Sequence, residues 1–269
     1  MTRRHFNTWA AAAGGATLGA CASTAAVPQA AVGGLAPTGR LRASINLGNP
    51  ILARRDAAAP GGASGVSVDL ARALGAELGV PVDLVVVDAA AKSVANVKGG
   101  DADIGFFAID PLRSDGIRFS AAYVLIEGAY LVRQDSPLTD NAQVDRAGTR
   151  IMVGRGSAYD LYLGRELKAA QLLRTPTSPQ VVDEFLAQKA DVAAGVKQQL
   201  QADAARLGGL RLLPGRFMVI EQAMGVQAGR VVEAERHLAA FVERAKASGF
   251  VAEALKRHSI QGAAVAPPA

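Results

Sequence analysis

The chain has 269 residues, half of them apolar and only 5% aromatic, which suits one large domain or two small ones around an aliphatic core. Its formal charge is +5, from 29 basic and 24 acidic groups. Setting aside Arg3 and Arg4, the only charged residues of the first twenty, leaves 27 basic groups against 24 with no basic run. A nucleic-acid partner is thereby excluded, since no Lys/Arg stripe with interleaved aromatics is present.

Residues 1–20 read as an export address. Thr2-Arg3-Arg4-His5-Phe6 precedes an apolar run from Trp9 to Ala20, the charged-then-apolar layout of a secretory signal, with the arginine pair of a twin-arginine signal. Leu18-Gly19-Ala20-Cys21 resembles a lipobox, in which the Cys21 thiol takes a diacylglycerol; the alternative is an ordinary signal cut after a small residue. Cys21 is the only cysteine, so no intramolecular disulfide forms. Residues 21–39, rich in Ala, Pro and Gly, predict a flexible tether.

From Arg40 the elements follow in order. Leu41, Ala43, Ile45 and Leu47 alternate with polar residues as a half-buried strand does. Val66, Leu70, Leu74 and Leu78 recur at helical spacing, and Gly79 with Pro81 closes that helix. Val82 to Val87 is a nearly continuous apolar run, predicting a strand covered on both faces. A short helix through Val94 and Val97 ends at Gly99-Gly100. The pattern is β-α-β-α-β, which asks for a parallel sheet.

Residues 101–136 organise the rest. Ile104 to Ile109, with Phe106 and Ala108, reads as a buried strand. An Asp110-Pro111 turn carrying Arg113 follows, then a short return through Phe119 and Tyr123 and a second apolar strand ending at Arg133. In open α/β sheets ligands bind past the C-terminal ends of strands, which is where Arg113 stands. A guanidinium presents forked donors that fit a carboxylate. On spacing alone Arg113 also reads as a surface turn arginine paired with Asp110 or Asp115.

After Ser136-Pro137 the same grammar restarts. Arg150 to Val153 is a strand, Gly154-Arg155-Gly156 a loop, and Ser157-Ala158-Tyr159-Asp160 the S-x-x-D box that opens a helix running to about Ala170. The glycines and the unpaired N–H groups of that helix start suit a negative group. Leu172-Leu173 is a strand, Ser178-Pro179 starts a helix with the serine as cap, and Asp191 to Val196 is a strand. Lys197 to Leu207 is a helix and Leu210 to Leu213 a strand. An extended run from Phe217 to Val226 precedes helices over 231–248 and 250–258, with Leu238, Phe241, Val242 and Ala245 on one face.

Two stretches carry a resemblance. Residues 101–136 and Gly65 to Asp88 (GVSVDLARALGAELGVPVDLVVVD) are similar to segments of the extracytoplasmic solute-binding proteins of amino-acid-type ABC transporters, bacterial family 3. The resemblance spans roughly residues 40 to 258. It implies an α/β, two-lobed, type II periplasmic-binding-protein-like fold, each lobe a mostly parallel sheet flanked by helices, with a ligand cleft between. Lobe 1 is expected over 40–134 plus 225–262, lobe 2 over 135–224, and a tail over 263–269. It also implies a monomer working with an inner-membrane permease from the periplasm, touching the membrane only through an anchor at Cys21. Neither cofactor, metal nor catalytic residue is expected.

The ligand site that the resemblance implies comprises Phe106, Ala108, Asp110, Arg113 and Asn49 from lobe 1, and Gly156, Ser157, Ala158, Tyr159 and Lys197 from lobe 2. Arg113 stands at the position that pairs with a substrate carboxylate. Three positions depart from the family pattern. Ala108 stands where a Ser or Thr usually binds the carboxylate, Val196 or Lys197 where an aspartate usually neutralises the substrate ammonium, and Asn49 to Leu52 lacks the usual covering ring. Asp110 or Asp160 is the expected substitute acid, Tyr159 the substitute ring, and Lys197 with Gln198 a source of further donors. The solute is therefore a small anionic or zwitterionic metabolite. The rival reading is a periplasmic dehydratase of the cyclohexadienyl dehydratase type, with Glu127 or Glu221 as its acid. A sensory module feeding a membrane receptor would use the same mature fold.

Overall fold

The computed structural model describes Met1 and residues 26–269; the export address and Cys21 lie outside the described residues. In chain order the elements are α1 (Gln29–Leu35), β1 (Leu41–Asn46), the two-residue strands β2 (Arg54–Arg55) and β3 (Ala63–Ser64), α2 (Val66–Leu78), β4 (Val82–Val87), α3 (Ala90–Gly99), β5 (Ile104–Ala108), the one-turn α4 (Pro111–Ser114), β6 (Ile117–Arg133), β7 (Arg150–Gly154), α5 (Ala158–Glu166), β8 (Gln171–Thr175), α6 (Val181–Ala187), β9 (Val192–Val196), α7 (Lys197–Leu207), β10 (Leu210–Leu212), β11 (Met218–Gln227), α8 (Val232–Ala247), α9 (Phe250–Arg257) and β12 (Ala264–Val265).

The main sheet has the order β4-β1-β5-β11-β6-β9-β7-β8, with β10 and β12 also on β6. Two parallel groups, β4-β1-β5 and β9-β7-β8, stand at its ends. Two long antiparallel strands join them. β6 pairs with β11 from Ile117 to Gly128 and with β9 from Gly128 to Leu131, while β11 pairs with β5 from Gln222 to Val226. The β11–β6 register shifts on either side of Ala223, and such irregularities bend a strand. The chain thus passes from one parallel group to the other on continuous backbone.

Local chemistry explains the elements. α2 buries Val66, Leu70, Leu74 and Leu78 on one stripe and stops at Gly79 in the left-handed conformation, as the sequence spacing predicts. Each such side chain contributes roughly 1.5–3 kcal/mol on burial. Gly65, just before it, has φ +133 and a Cβ there would stand 2.4 Å from the Leu52 carbonyl, so that entry turn needs glycine. β5 is buried along its whole length. In α8 the stripe Leu238, Phe241, Val242 and Ala245 is buried as expected.

Five expectations are corrected. β4 is partly exposed at all six residues because it is the edge of the sheet, where helices cover less of each face than over a central strand. The short return through Phe119 and Tyr123 is no separate piece: β6 runs unbroken for 17 residues, since β11 pairs with it from Ile117 to Gly128 and β9 and β10 take over from there to Arg133. α5 stops at Glu166, as Leu167 turns to ψ 140. Ser178 is not a cap: it opens a single 3-10 turn, Ser178–Gln180, that leads into α6, and Thr177 caps that turn, with Gln180 reaching back to the Thr177 N–H at 3.2 Å. At both ends the chain is better fastened than a tether and a tail. α1 buries Ala31 and Leu35 and Arg230 donates to the Gly34 carbonyl at 2.9 Å, while β12 adds a strand to β6 at Val124 and Leu125. No described helix is long and apolar enough to cross a membrane.

Candidate functional site

β5 delivers the chain to a turn built by Asp110, whose Oδ1 accepts the Leu112 N–H at 2.9 Å with Pro111 in the first turn of α4, a favourable helix start. That turn folds Arg113 inward until it is only 4% exposed. Its Nη1 donates to the Ala108 carbonyl at 2.9 Å and its Nη2 to the Gly156 carbonyl at 2.8 Å. Among the described residues no carboxylate forms an ion pair with it. The Asp110 Oδ2 accepts instead from Arg165 Nη1 at 2.9 Å, so the reading of Arg113 as a surface arginine paired with Asp110 or Asp115 is set aside. Burial pushes the Arg113 guanidinium down to about 10, against the pull of Asp110, and it stays charged at neutral pH. A guanidinium has five N–H donors; with two on carbonyls, donors remain for a ligand.

The facing wall is the start of α5. Gly156 has φ +68, and a Cβ on it would meet the Ala91 Cβ at 2.9 Å; the left-handed turn and the close approach of α3 both call for glycine. Ser157 caps the helix by accepting the Asp160 N–H on Oγ at 3.1 Å. Asp160 reaches back to the Gly156 N–H at 2.8 Å and takes Arg174 Nε at 2.8 Å on its other oxygen. The Ser157 carbonyl accepts from Leu161. The N–H groups of Ala158 and Tyr159 are the ones left without a partner among the described residues, as the first turn of a helix leaves them.

Between these walls lies a cavity of about 50 Å³. It is lined by Asn49, Phe106, Ala108 and Arg113 on one side and by Ser157, Ala158 and Tyr159 on the other. Phe106 is held edge-on against Tyr123, centroids 6.2 Å apart. Burial pushes the Tyr159 phenol above its ordinary value, with Ser178, Ser157 and the Gly154 backbone pulling the other way, so it stays a neutral donor. Gly156 contributes its carbonyl to Arg113 and is not among the lining residues.

Asp110, Asp160 and Lys197 are not brought into the cavity. Both aspartates, expected as substitute acids, are taken up by Arg165 and Arg174. Lys197 pairs with Glu127 at 2.7 Å and, with Gln198, lines a separate open hollow of about 560 Å³; it turns away because its backbone opens α7 while Val196, one residue earlier, faces the cavity. Glu127 is held by Lys197 and Arg216 together, which keep its carboxyl below the usual range. Among the described residues Arg113 is the only charged one that lines the cavity. Sequence reasoning missed Asn46, Ser67, Ser178 and Gln222, which also line it. Only Gln222 carried a signal, an amide next to Glu221 in the middle of the mainly apolar run of β11.

A hydrogen-bonding cavity between two β-α assemblies joined by long strands defines a ligand-binding protein of the type II periplasmic-binding-protein fold. The model of the bacterial extracellular solute-binding proteins, family 3, matches residues 55–259, and the chain belongs to that family. A search of curated proteins finds no match. Among solved structures, the chain is similar to a binding component of an ABC transporter from Wolinella succinogenes complexed with lysine, at 22% identity and TM-score 0.69 over 82% of this chain and 95% of that one. It is similar also to the solute receptor for L-cysteine of Neisseria gonorrhoeae, at 20% identity and TM-score 0.73 over 86% and 94%. A third is an ancestral amino-acid-binding protein described as a precursor of cyclohexadienyl dehydratase, at 18% identity and TM-score 0.69 over 84% and 97%. At these identities the likeness is one of fold.

Proposed function

We propose that the protein captures a small anionic metabolite in the periplasm by closing two lobes over it, and delivers it as a monomer to an inner-membrane ABC permease. The observation that carries this reading is Arg113: a buried cation whose own partners are two carbonyls, standing across the cavity from the open N–H groups of Ala158 and Tyr159. Charge-assisted bonds from both sides of a shielded cleft suit a carboxylate. The proposed lobes are 40–134 with 225–262, and 135–224, hinged on β6 and β11. Contacts from Arg113 to Gly156 and from Asp110 to Arg165 cross between them, so a ligand seated on Arg113 stabilises the closed arrangement that a permease distinguishes.

A dehydratase needs a carboxylic acid beside the leaving hydroxyl. Glu127 is bound in its ion cluster and Glu221 is exposed, and neither lines the cavity, which favours binding over catalysis. The proposal is tested by native mass spectrometry of protein purified without refolding, followed by thermal-shift screening of small carboxylates on the wild type and Arg113→Ala. A carboxylate that stabilises only the wild type is expected; equal responses of the two proteins to every acid would refute it.

A further inference from the structure

Resting on the capture reading, we infer that the cavity selects a short carboxylate whose neighbouring substituent is a neutral hydroxyl and not an ammonium, that is, a small 2-hydroxy acid. Charge balance is the first argument. One carboxylate neutralises Arg113, and among the described residues no acidic side chain lines the cavity to meet a second, positive group. Asp110 and Asp160 are each fixed by an arginine and by a backbone N–H. An ammonium withdrawn from water into this space would find no counter-charge among the lining residues, and burying a charge without one is costly.

The second argument is the pattern of unused polar atoms. The Oδ1 of Asn49 is buried and has no hydrogen-bond partner among the described residues, a state that ordinarily calls for a ligand or water donor. Gln222 is buried as well, and its side-chain amide makes no hydrogen bond among the described residues, leaving both a donor and an acceptor. A hydroxyl donates to the Asn49 Oδ1 and accepts from the Gln222 NH2; an ammonium, which only donates, serves the amide oxygens but leaves the Gln222 NH2 without an acceptor. Size is the third argument. At roughly 10–15 Å³ per water, the cavity of about 50 Å³ suits an acid of a few carbons.

The experiment is calorimetric titration with matched pairs that differ only in this substituent: glycolate against glycine, L-lactate against L-alanine, L-glycerate against L-serine. The hydroxy acid of a pair is expected to bind at least tenfold more tightly, and Arg113→Ala to abolish that binding. Asn49→Asp, nearly isosteric, installs the missing counter-charge; it is expected to reverse the order within the pair. Amino acids binding as tightly as their hydroxy partners, or an order unchanged by Asn49→Asp, would overturn the inference. If that binding still depends on Arg113, the capture reading survives; if no acid binds and Arg113→Ala alters nothing, the capture reading itself fails. Binding confined to larger carboxylates outside these pairs overturns the substrate class alone.

Discussion

Two cations stand where the two halves of the sheet meet, and they differ in what their own neighbours leave them free to do. Lys197 opens a helix, is about a third exposed, and is closed off by Glu127 at 2.7 Å. Arg113 closes a one-turn helix, is buried, and holds only the carbonyls of Ala108 and Gly156. From the letters both read as donors to the ligand, Arg113 as its anchor and Lys197 as a further source. The lesson is that a charge serves a ligand when its folded partners are dipoles; one partnered by an opposite charge is already neutralised, whichever hollow it lines.

Deleting each cation in turn sets the two furthest apart. Arg113→Ala removes charge-assisted bonds worth about 1.5–3 kcal/mol apiece, so affinity for a bound carboxylate is expected to fall at least ~100-fold. Calorimetry measures this, and a loss under tenfold would put the anion elsewhere. Next in size is Gly156→Ala, which forces a side chain into a left-handed turn against Ala91. It is expected to cost about 1–3 kcal/mol and to lower the melting temperature by several degrees, with weaker binding because the Gly156 carbonyl that meets Arg113 shifts.

Arg165→Ala tests the ion pair that crosses from Asp110 to α5. With Arg113 intact, affinity is expected to fall only about three- to tenfold, since one partly exposed pair contributes about 1 kcal/mol or somewhat more; the closed fraction read by small-angle scattering should fall with it. The effect of pH has a definite sign. Arg113 must be protonated to hold a carboxylate, and burial brings its value to about 10, so affinity should be level from about pH 6 to 9 and fall towards tenfold per unit above about 10. An affinity that declines already between pH 6 and 8 would point to a different group. Smallest of all, Lys197→Ala should change binding less than about twofold and stability by less than about 1 kcal/mol.

Much of the fold was legible because its elements carry their stop and start chemistry in single residues: Gly79 after α2, the Ser157 cap with Asp160, the apolar stripe of α8. What stayed hidden depends on neighbours distant in sequence. β4 reads as a central strand because an apolar run such as Leu84 to Val87 looks the same at an edge and in the middle of a sheet until its pairing is known; among the described residues its strand partner is β1 alone. β6 reads as two pieces because Ser120 and Glu127 interrupt its apolar pattern, yet β11 spans the gap. α1 looks like a linker by composition, and its order comes from packing against α8, some two hundred residues later.

The site divides in the same way. Arg113, Ala108, Ser157, Ala158 and Tyr159 sit at turns and helix starts that local letters mark, whereas the loss of Asp110 and Asp160 to Arg165 and Arg174 is a matter of tertiary pairing. Asn49 was noticed for the ring it lacks; its unpartnered carbonyl oxygen could be seen only once the loop was packed.

The decisive measurement is a crystal structure of the protein with the acid that stabilises it most in the thermal-shift screen. The account predicts carboxylate oxygens within about 3 Å of the Arg113 guanidinium, with the Ala158 N–H as the opposing donor. A carboxylate seated on Lys197 in the outer hollow, with Arg113 still bound only to its two carbonyls, would contradict it.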